Sequence, residues 1–340
     1  MKQTLFIRQL AAYFETHLPD VRHCSPKTIA SYADAFALLF SFMQEKNDIA
    51  HNKLDYKNFT PQAFEDFTLW LVRERNYSAS SVKQRLSALT SFMKYASRRD
   101  MAALNAYTIV VGAEKPKTVQ APFPYFTLEE IRILLRLPNP DRKTEKRDLV
   151  LLSLLYDSAA RAQEICDLKV GDIKFGVTTK VKLFGKGSKT REIPISNDVS
   201  KLLQYHLKEN ELEGQHDKPL FLSQLGGKMT TACIRNLVEK YVARAKSVHP
   251  NLFFEPKYSP HSYRHSKAVH MVESGVQLIY IRNFLGHASV KSTEVYARIG
   301  QNTLTKMLSE RSVSIQEKAA STASNEKTSY PKFLDHVRRN

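Results

Sequence analysis

The stretch Ser259–Ala297, SPHSYRHSKAVHMVESGVQLIYIRNFLGHASVKSTEVYA, decides how this chain is read. Ser259-Pro260 is a cap residue followed by the residue type favoured at the first helical position, so a helix is predicted to open there with His261 and Arg264 on one face. In Leu285-Gly286-His287 the glycine can end one helix and the histidine begin the turn to the next. Tyr296 stands nine residues beyond His287, on a further expected helix. Two upstream segments belong with this set. In Ala160-Arg161-Ala162-Gln163-Glu164 the arginine and the glutamate are three apart on an expected helix, and Gly185-Lys186-Gly187-Ser188-Lys189 is a basic turn.

Taken singly, each piece has an ordinary structural reading: a solvated ion pair, a capped helix start, a structural histidine, a packed tyrosine, a solvated turn. Taken in order, two arginines, two histidines, a lysine and a tyrosine are the equipment for attacking a DNA phosphodiester with a phenolic oxygen, without metal or ATP. Guanidinium forks grip phosphate oxygens bidentately, and the Glu164 carboxylate can steady Arg161 while it does so.

Composition supports a polyanionic partner. The 340 residues carry 51 Lys and Arg against 34 Asp and Glu, a formal net charge of +17. A hydrophobic content of 42% is enough for real cores, and the length suggests about two domains. There is no run of 18 apolar residues, and Glu15 and Asp20 stand where a signal peptide would be uncharged, so a cytoplasmic protein with no membrane partner is expected. Cys24, Cys166 and Cys233 are far apart and lack a CxxC spacing, which argues against zinc and against a disulfide framework. Gly226-Gly227-Lys228 lacks the upstream glycine of a P-loop, and no carboxylate cluster has metal-ligand spacing. No cofactor and no metal are expected.

The chain reads as two blocks. In the first, Ser25-Pro26 and Thr60-Pro61 start helices whose apolar faces carry Ile29, Tyr32, Phe36 and Met43, and Phe64, Phe67, Trp70 and Leu71. A helix from about Ser80 turns Val82, Leu86, Leu89, Met93 and Ala96 inward, and with the segment around Leu5–His17 this makes about four helices. Periodicity fails between roughly Tyr107 and Tyr125, where Glu114-Lys115-Pro116-Lys117 marks a linker. A capping box at Thr127-Leu128-Glu129-Glu130 restarts helix, and a long helix is expected to end around Leu168. Alternation in Thr179–Phe184 and Arg191–Ile195 predicts a hairpin around the Gly185–Lys189 turn. The fold class is therefore mainly α with a small β-hairpin or sheet.

The ordered motifs closely resemble the catalytic domain of the tyrosine recombinase (phage integrase) family, from about Pro124 to Arg311. That family shows Ala-Arg-x-x-Glu, Gly-Lys-Gly-x-Lys, His-x-x-Arg-His, Leu-Gly-His and a tyrosine nine residues on, and each stands here. The resemblance implies a Xer-like organisation: an N-terminal helical, SAM-like core-binding domain at 1–110, a linker at 111–123, a mixed α/β catalytic domain at 124–312, and a tail at 313–340 that is mobile or docks on a neighbouring protomer. It also implies a site-specific recombinase that cleaves and rejoins double-stranded DNA through a 3′-phosphotyrosyl link and a Holliday junction, as in integration, excision or dimer resolution.

In that scheme Tyr296 is the nucleophile, and Arg161 and Arg264 neutralise the transition state. His261 is the general base, Lys186 the general acid, and His287 bonds a non-bridging oxygen, with Glu164 and Lys189 in support. The partners implied are a specific DNA site and a homotetramer formed on it, or a mixed tetramer with a related recombinase. A type IB topoisomerase-like enzyme and a non-catalytic sequence-specific DNA-binding protein are the alternatives. Two departures from the family pattern are Tyr263, where leucine is common, and Glu294, where an uncharged polar residue is common.

Overall fold

Ser25, Thr60 and Ser78 each accept a hydrogen bond from the backbone N–H three residues on, and a helix starts after each of them. The structure is a computed structural model that describes residues 3–117, 123–185, 190–224, 226–286 and 293–296. Lys186, Lys189, His287 and the tail at 313–340 lie outside the described residues. The chain divides into two compact units, Met1–Ala121 and Pro122–Asn340. No described helix is long and apolar enough to cross a membrane.

The first unit contains α1 (Leu5–Ala12), a π-helical segment Tyr13–Val21 that includes Pro19, α2 (Pro26–Asn47), α3 (Pro61–Arg73), α4 (Ala79–Ser97) and α5 (Met101–Gly112). Its core is rich in aromatics. The Phe92 ring lies 5.2 Å from Phe6, 5.4 Å from Tyr13 and 5.4 Å from Phe36, all at steep angles that place ring edges on ring faces. The helix α5 occupies sequence in which periodicity was expected to fail from about Tyr107. It buries Ala103, Ala106 and Val110, residues at helical spacing but too small to stand out as an apolar stripe, and Asp100 caps it through the N–H of Ala102.

In the second unit, Thr127 and Glu130 close the expected capping box and open α6 (Leu128–Arg136). Then come α7 (Lys143–Asp157), α8 (Ala162–Asp167), α9 (Asn197–Glu209), α10 (Thr231–Val248), α11 (Pro260–Glu273) and α12 (Leu278–Leu285). Among the described residues the sheet has three antiparallel strands in the order β1-β2-β3: Ile173–Lys174, Lys180–Phe184 and Thr190–Pro194. The two-residue β1 was not expected, being too short to alternate; it is held by Ile173 opposite Val181. On β2, Val181 and Leu183 face the core, and Pro194 is tolerated because β3 is an edge.

One long helix ending near Leu168 was expected, and the structure breaks it. The helix α7 stops at Asp157, Ala159 turns left-handed at φ +47°, and Arg161 is extended as the N-cap of α8. Most of the apolar side chains of this unit form one core, which includes Leu151, Leu155, Phe221 and Tyr241. A smaller cluster gathers Ala159, Ala268, Val269, Ile281 and Leu285 around Tyr296.

Candidate active site

The break between α7 and α8 is where the site begins, because it frees one backbone carbonyl and presents one guanidinium. Glu164, on the first turn of α8, is almost wholly buried and accepts four hydrogen bonds. Two come from Arg161, from Nη1 at 2.9 Å and from its backbone N–H at 2.8 Å, and two from Arg191, from Nη1 at 2.9 Å and Nη2 at 2.8 Å. A carboxylate has about four acceptor positions, so Glu164 is saturated. Burial pushes its pKa up, but the bonds and charges of Arg191 and Arg161 outweigh that and hold it below the ordinary value.

Arg191 was not anticipated. It sits on β3 opposite Leu183, and besides its fork on Glu164 its Nε donates 3.0 Å to the carbonyl of Phe284 in the last turn of α12. Gly286 ends that helix at φ +64°, and a Cβ there would come within 3.1 Å of the Arg191 side chain. No local pattern marks Arg191, since its partners lie 27 and 93 residues away in the chain.

Arg264, on α11, is 3% exposed and held by two main-chain carbonyls, Nη1 to Ala159 at 2.7 Å and Nη2 to Leu285 at 2.6 Å. The left-handed turn at Ala159 is what aims the first of them. Burial and the neighbouring charges of Arg161 and Arg191 lower its pKa to about 10, which leaves it protonated at neutral pH. His261, one turn earlier on the same helix, is exposed at its surface edge. Lost hydration, then the charges of Arg264 and Arg161, lower its pKa, so near neutrality the ring is uncharged.

Tyr296 is 3% exposed, and its hydroxyl lies 2.9 Å from Nδ1 of His265, the residue directly after Arg264. Phe123 stacks on the His265 ring at 4.2 Å and sets its edge against Tyr296 at 5.1 Å. Burial raises the Tyr296 pKa, and Arg264 and Arg161 pull it back down. His265 closes the His-x-x-Arg-His motif, whose spacing alone assigns it no task. Its task depends on where Tyr296 lies, 31 residues on.

The structure thus gathers Arg161, Glu164, His261, Arg264 and Tyr296, and adds Arg191 and His265. Glu294 is exposed, and Tyr263 is fully buried against Phe126 at 5.0 Å between ring centres. Arg161 and Arg191 share the one carboxylate of Glu164, while Arg264 is held by two neutral carbonyls, so these groups leave a surplus of positive charge beside a phenol, an arrangement suited to a phosphate anion and a nucleophilic oxygen.

Comparison with known proteins identifies the family and the fold. The model of the phage integrase family matches residues 124–303, and that of the phage integrase N-terminal SAM-like domain matches residues 10–103. Tyrosine recombinase XerC of Chlamydia caviae is 27% identical over 301 residues, covering 84% of this chain and 93% of the relative. Tyrosine recombinase XerC of Halalkalibacterium halodurans is 28% identical over 304 residues, covering 87% and 94%. Among solved structures, the XerH site-specific recombinase bound to difH substrate in a pre-cleavage complex superposes with a TM-score of 0.62 at 21% identity, covering 84% of this chain and 80% of that one. A lambda integrase dimer bound to a COC′ core site gives 0.61 at 16% identity, covering 85% and 76%.

Proposed function

Because the chain belongs to the phage integrase family, we infer its chemistry from the site just described. It is a tyrosine-type site-specific DNA recombinase, an enzyme that breaks and rejoins DNA strands, and its partner is DNA. The observation that carries the detailed reading is a buried phenol within the field of Arg264 and Arg161, with Arg161 and Arg191 sharing the single carboxylate of Glu164.

In this reading Tyr296 attacks a backbone phosphorus, the bond to the 5′ oxygen breaks, and a 3′-phosphotyrosyl link stores the bond energy for resealing. Arg161 and Arg264 meet the charge that grows on the non-bridging oxygens. Lys186, with Lys189 near it in sequence, protonates the departing 5′ oxygen, and His287 bonds a non-bridging oxygen. Two imidazoles compete for the phenol's proton: His261, held neutral beside two guanidiniums, and His265, already bonded to the hydroxyl. Glu164 and Arg191 position the arginines without touching DNA.

The first unit, read as the core-binding domain at 1–110, supplies DNA contacts, and the second, read as the catalytic domain at 124–312, supplies the chemistry. Four protomers, alone or with a related recombinase, exchange strands through a Holliday junction, in the cytoplasm, to integrate, excise or resolve DNA. The 313–340 tail is proposed to dock on a neighbouring protomer, and its deletion should abolish synapsis or strand exchange.

The test uses nicked suicide duplexes tiled from the DNA flanking the gene for this protein, incubated in EDTA with wild type or Tyr296→Phe and resolved on a denaturing gel. A covalent protein–DNA band with wild type alone is expected. Binding without any covalent band would leave a DNA-binding protein as the better account.

A further inference from the structure

His265 is built into the site more tightly than a bystander on the catalytic helix would be. Its Nδ1 is 2.9 Å from the Tyr296 hydroxyl, its ring is fixed by the Phe123 stack at 4.2 Å, and the His261 ring centre lies 5.8 Å away. That geometry meets the first condition on a general base, which is hydrogen-bond reach of the proton it must take. For Nδ1 to accept, the neutral ring carries its own proton on Nε2.

We propose that His265 is a further catalytic residue, the acceptor of the Tyr296 proton during strand cleavage. The proposal rests on the recombinase reading above. As the Tyr296 Oη–P bond forms and the P–O5′ bond breaks, the phenol's proton passes to Nδ1 of His265, and the 5′ oxygen takes a proton from the general acid assigned above to Lys186. On resealing, the 5′-hydroxyl gives its proton back to the now neutral general acid assigned to Lys186 as it attacks phosphorus, the P–O bond to Tyr296 breaks, and His265 returns its proton to the departing phenolate. His261, exposed and flanked by Arg161 and Arg264, is then left to meet the phosphate.

The geometry also selects the test. Asparagine places its Oδ1 close to where Nδ1 stands, so His265→Asn keeps an acceptor for the hydroxyl but cannot hold a proton. Single-turnover cleavage of the nicked suicide duplexes is followed for wild type, His265→Asn, His265→Ala and His261→Ala from about pH 5.5 to 9.5, a span that brackets an ordinary histidine and approaches a free tyrosine. A second duplex with a 5′-bridging sulfur at the scissile position gives a leaving group that needs no acid, so its rate isolates removal of the phenol's proton.

With wild type the rate on the sulfur duplex should fall on the acid side as an imidazole protonates. In His265→Asn, with the fold intact by circular dichroism, the rate near neutrality should drop by about 10²–10³. The acid-side inflection should vanish, leaving a rate that climbs about tenfold per pH unit as tyrosine ionises unaided. Added imidazole should partly rescue His265→Ala. A His265→Asn enzyme that keeps the wild-type pH profile, whatever its rate, overturns the proposal, and loss of the inflection in His261→Ala alone transfers the role to His261. Absence of a covalent band from wild type on every duplex it binds would instead overturn the recombinase reading itself.

Discussion

Replacing Arg191 with alanine should weaken the second unit far more than an ordinary strand substitution. The change removes both prongs of the fork on Glu164 and leaves that carboxylate, 3% exposed at its side chain, with Arg161 and one backbone N–H. Breaking a buried pair costs about 3–5 kcal/mol, and because Arg161 remains, the lower end applies. The Phe284 carbonyl loses its 3.0 Å donor as well, which adds about 1 kcal/mol. At about 2–4 °C per kcal/mol for a unit of this size, the melting temperature should drop by roughly 10 °C.

The only tryptophan of the chain, Trp70, lies in the first unit, so its fluorescence should still report an unchanged transition while circular dichroism shows an earlier one. The pH dependence has a definite sign. A carboxyl held below its ordinary pKa contributes stability above that ordinary value and loses it as pH falls through the folded one. Without Arg191, Glu164 is held down less, so acid destabilisation should set in at a higher pH. A melting temperature within about 2 °C of wild type, with the same acid limb, would refute the claim that this pair holds the arginines in place.

Removing either of the guanidiniums proposed to meet the phosphate, as Arg161→Ala or Arg264→Ala, should cut covalent-complex formation by about 10²–10³ or more on the suicide duplex. Gly286→Ala puts a methyl 3.1 Å from Arg191 at a φ of +64°, and should cost about 1–2 kcal/mol in chemical denaturation. The Tyr263 hydroxyl is buried with no hydrogen-bond partner among the described residues, so Tyr263→Phe should raise stability by about 1 kcal/mol in the same assay. His270, 2.9 Å from the Tyr156 hydroxyl, has its pKa lowered to about 4 by burial. Its neutral form is favoured by folding, so stability present above the ordinary histidine value should be lost as pH falls from about 6.5 to 4, by up to roughly 3 kcal/mol, and His270→Gln should flatten that slope in urea titrations.

What the sequence disclosed was what is encoded locally. Ser25, Thr60, Thr127 and the Ser259-Pro260 pair announce helix starts through atoms three residues away, and the structure uses each of them. The helix α5 escaped notice because alanines provide no contrast, and the break at Ala159 because alanine does not advertise a left-handed turn. Arg191 and His265 escaped for a different reason. A side chain acquires such a task only when elements 27 to 93 residues apart are brought together, and nothing in its immediate neighbours records that.

The two carbonyls that clasp Arg264 bear on when the site is organised. In water, charge building up on a phosphate must wait for solvent dipoles to reorient, and that reorganisation energy enters the barrier of every turnover. Here the guanidinium is already turned, clamped at 2.7 Å and 2.6 Å by main chain that cannot swing away without unwinding α12 or the turn after α7. The reorientation is completed once, during folding. Loosening that clasp should therefore leave DNA affinity nearly intact and appear in the rate of the chemical step.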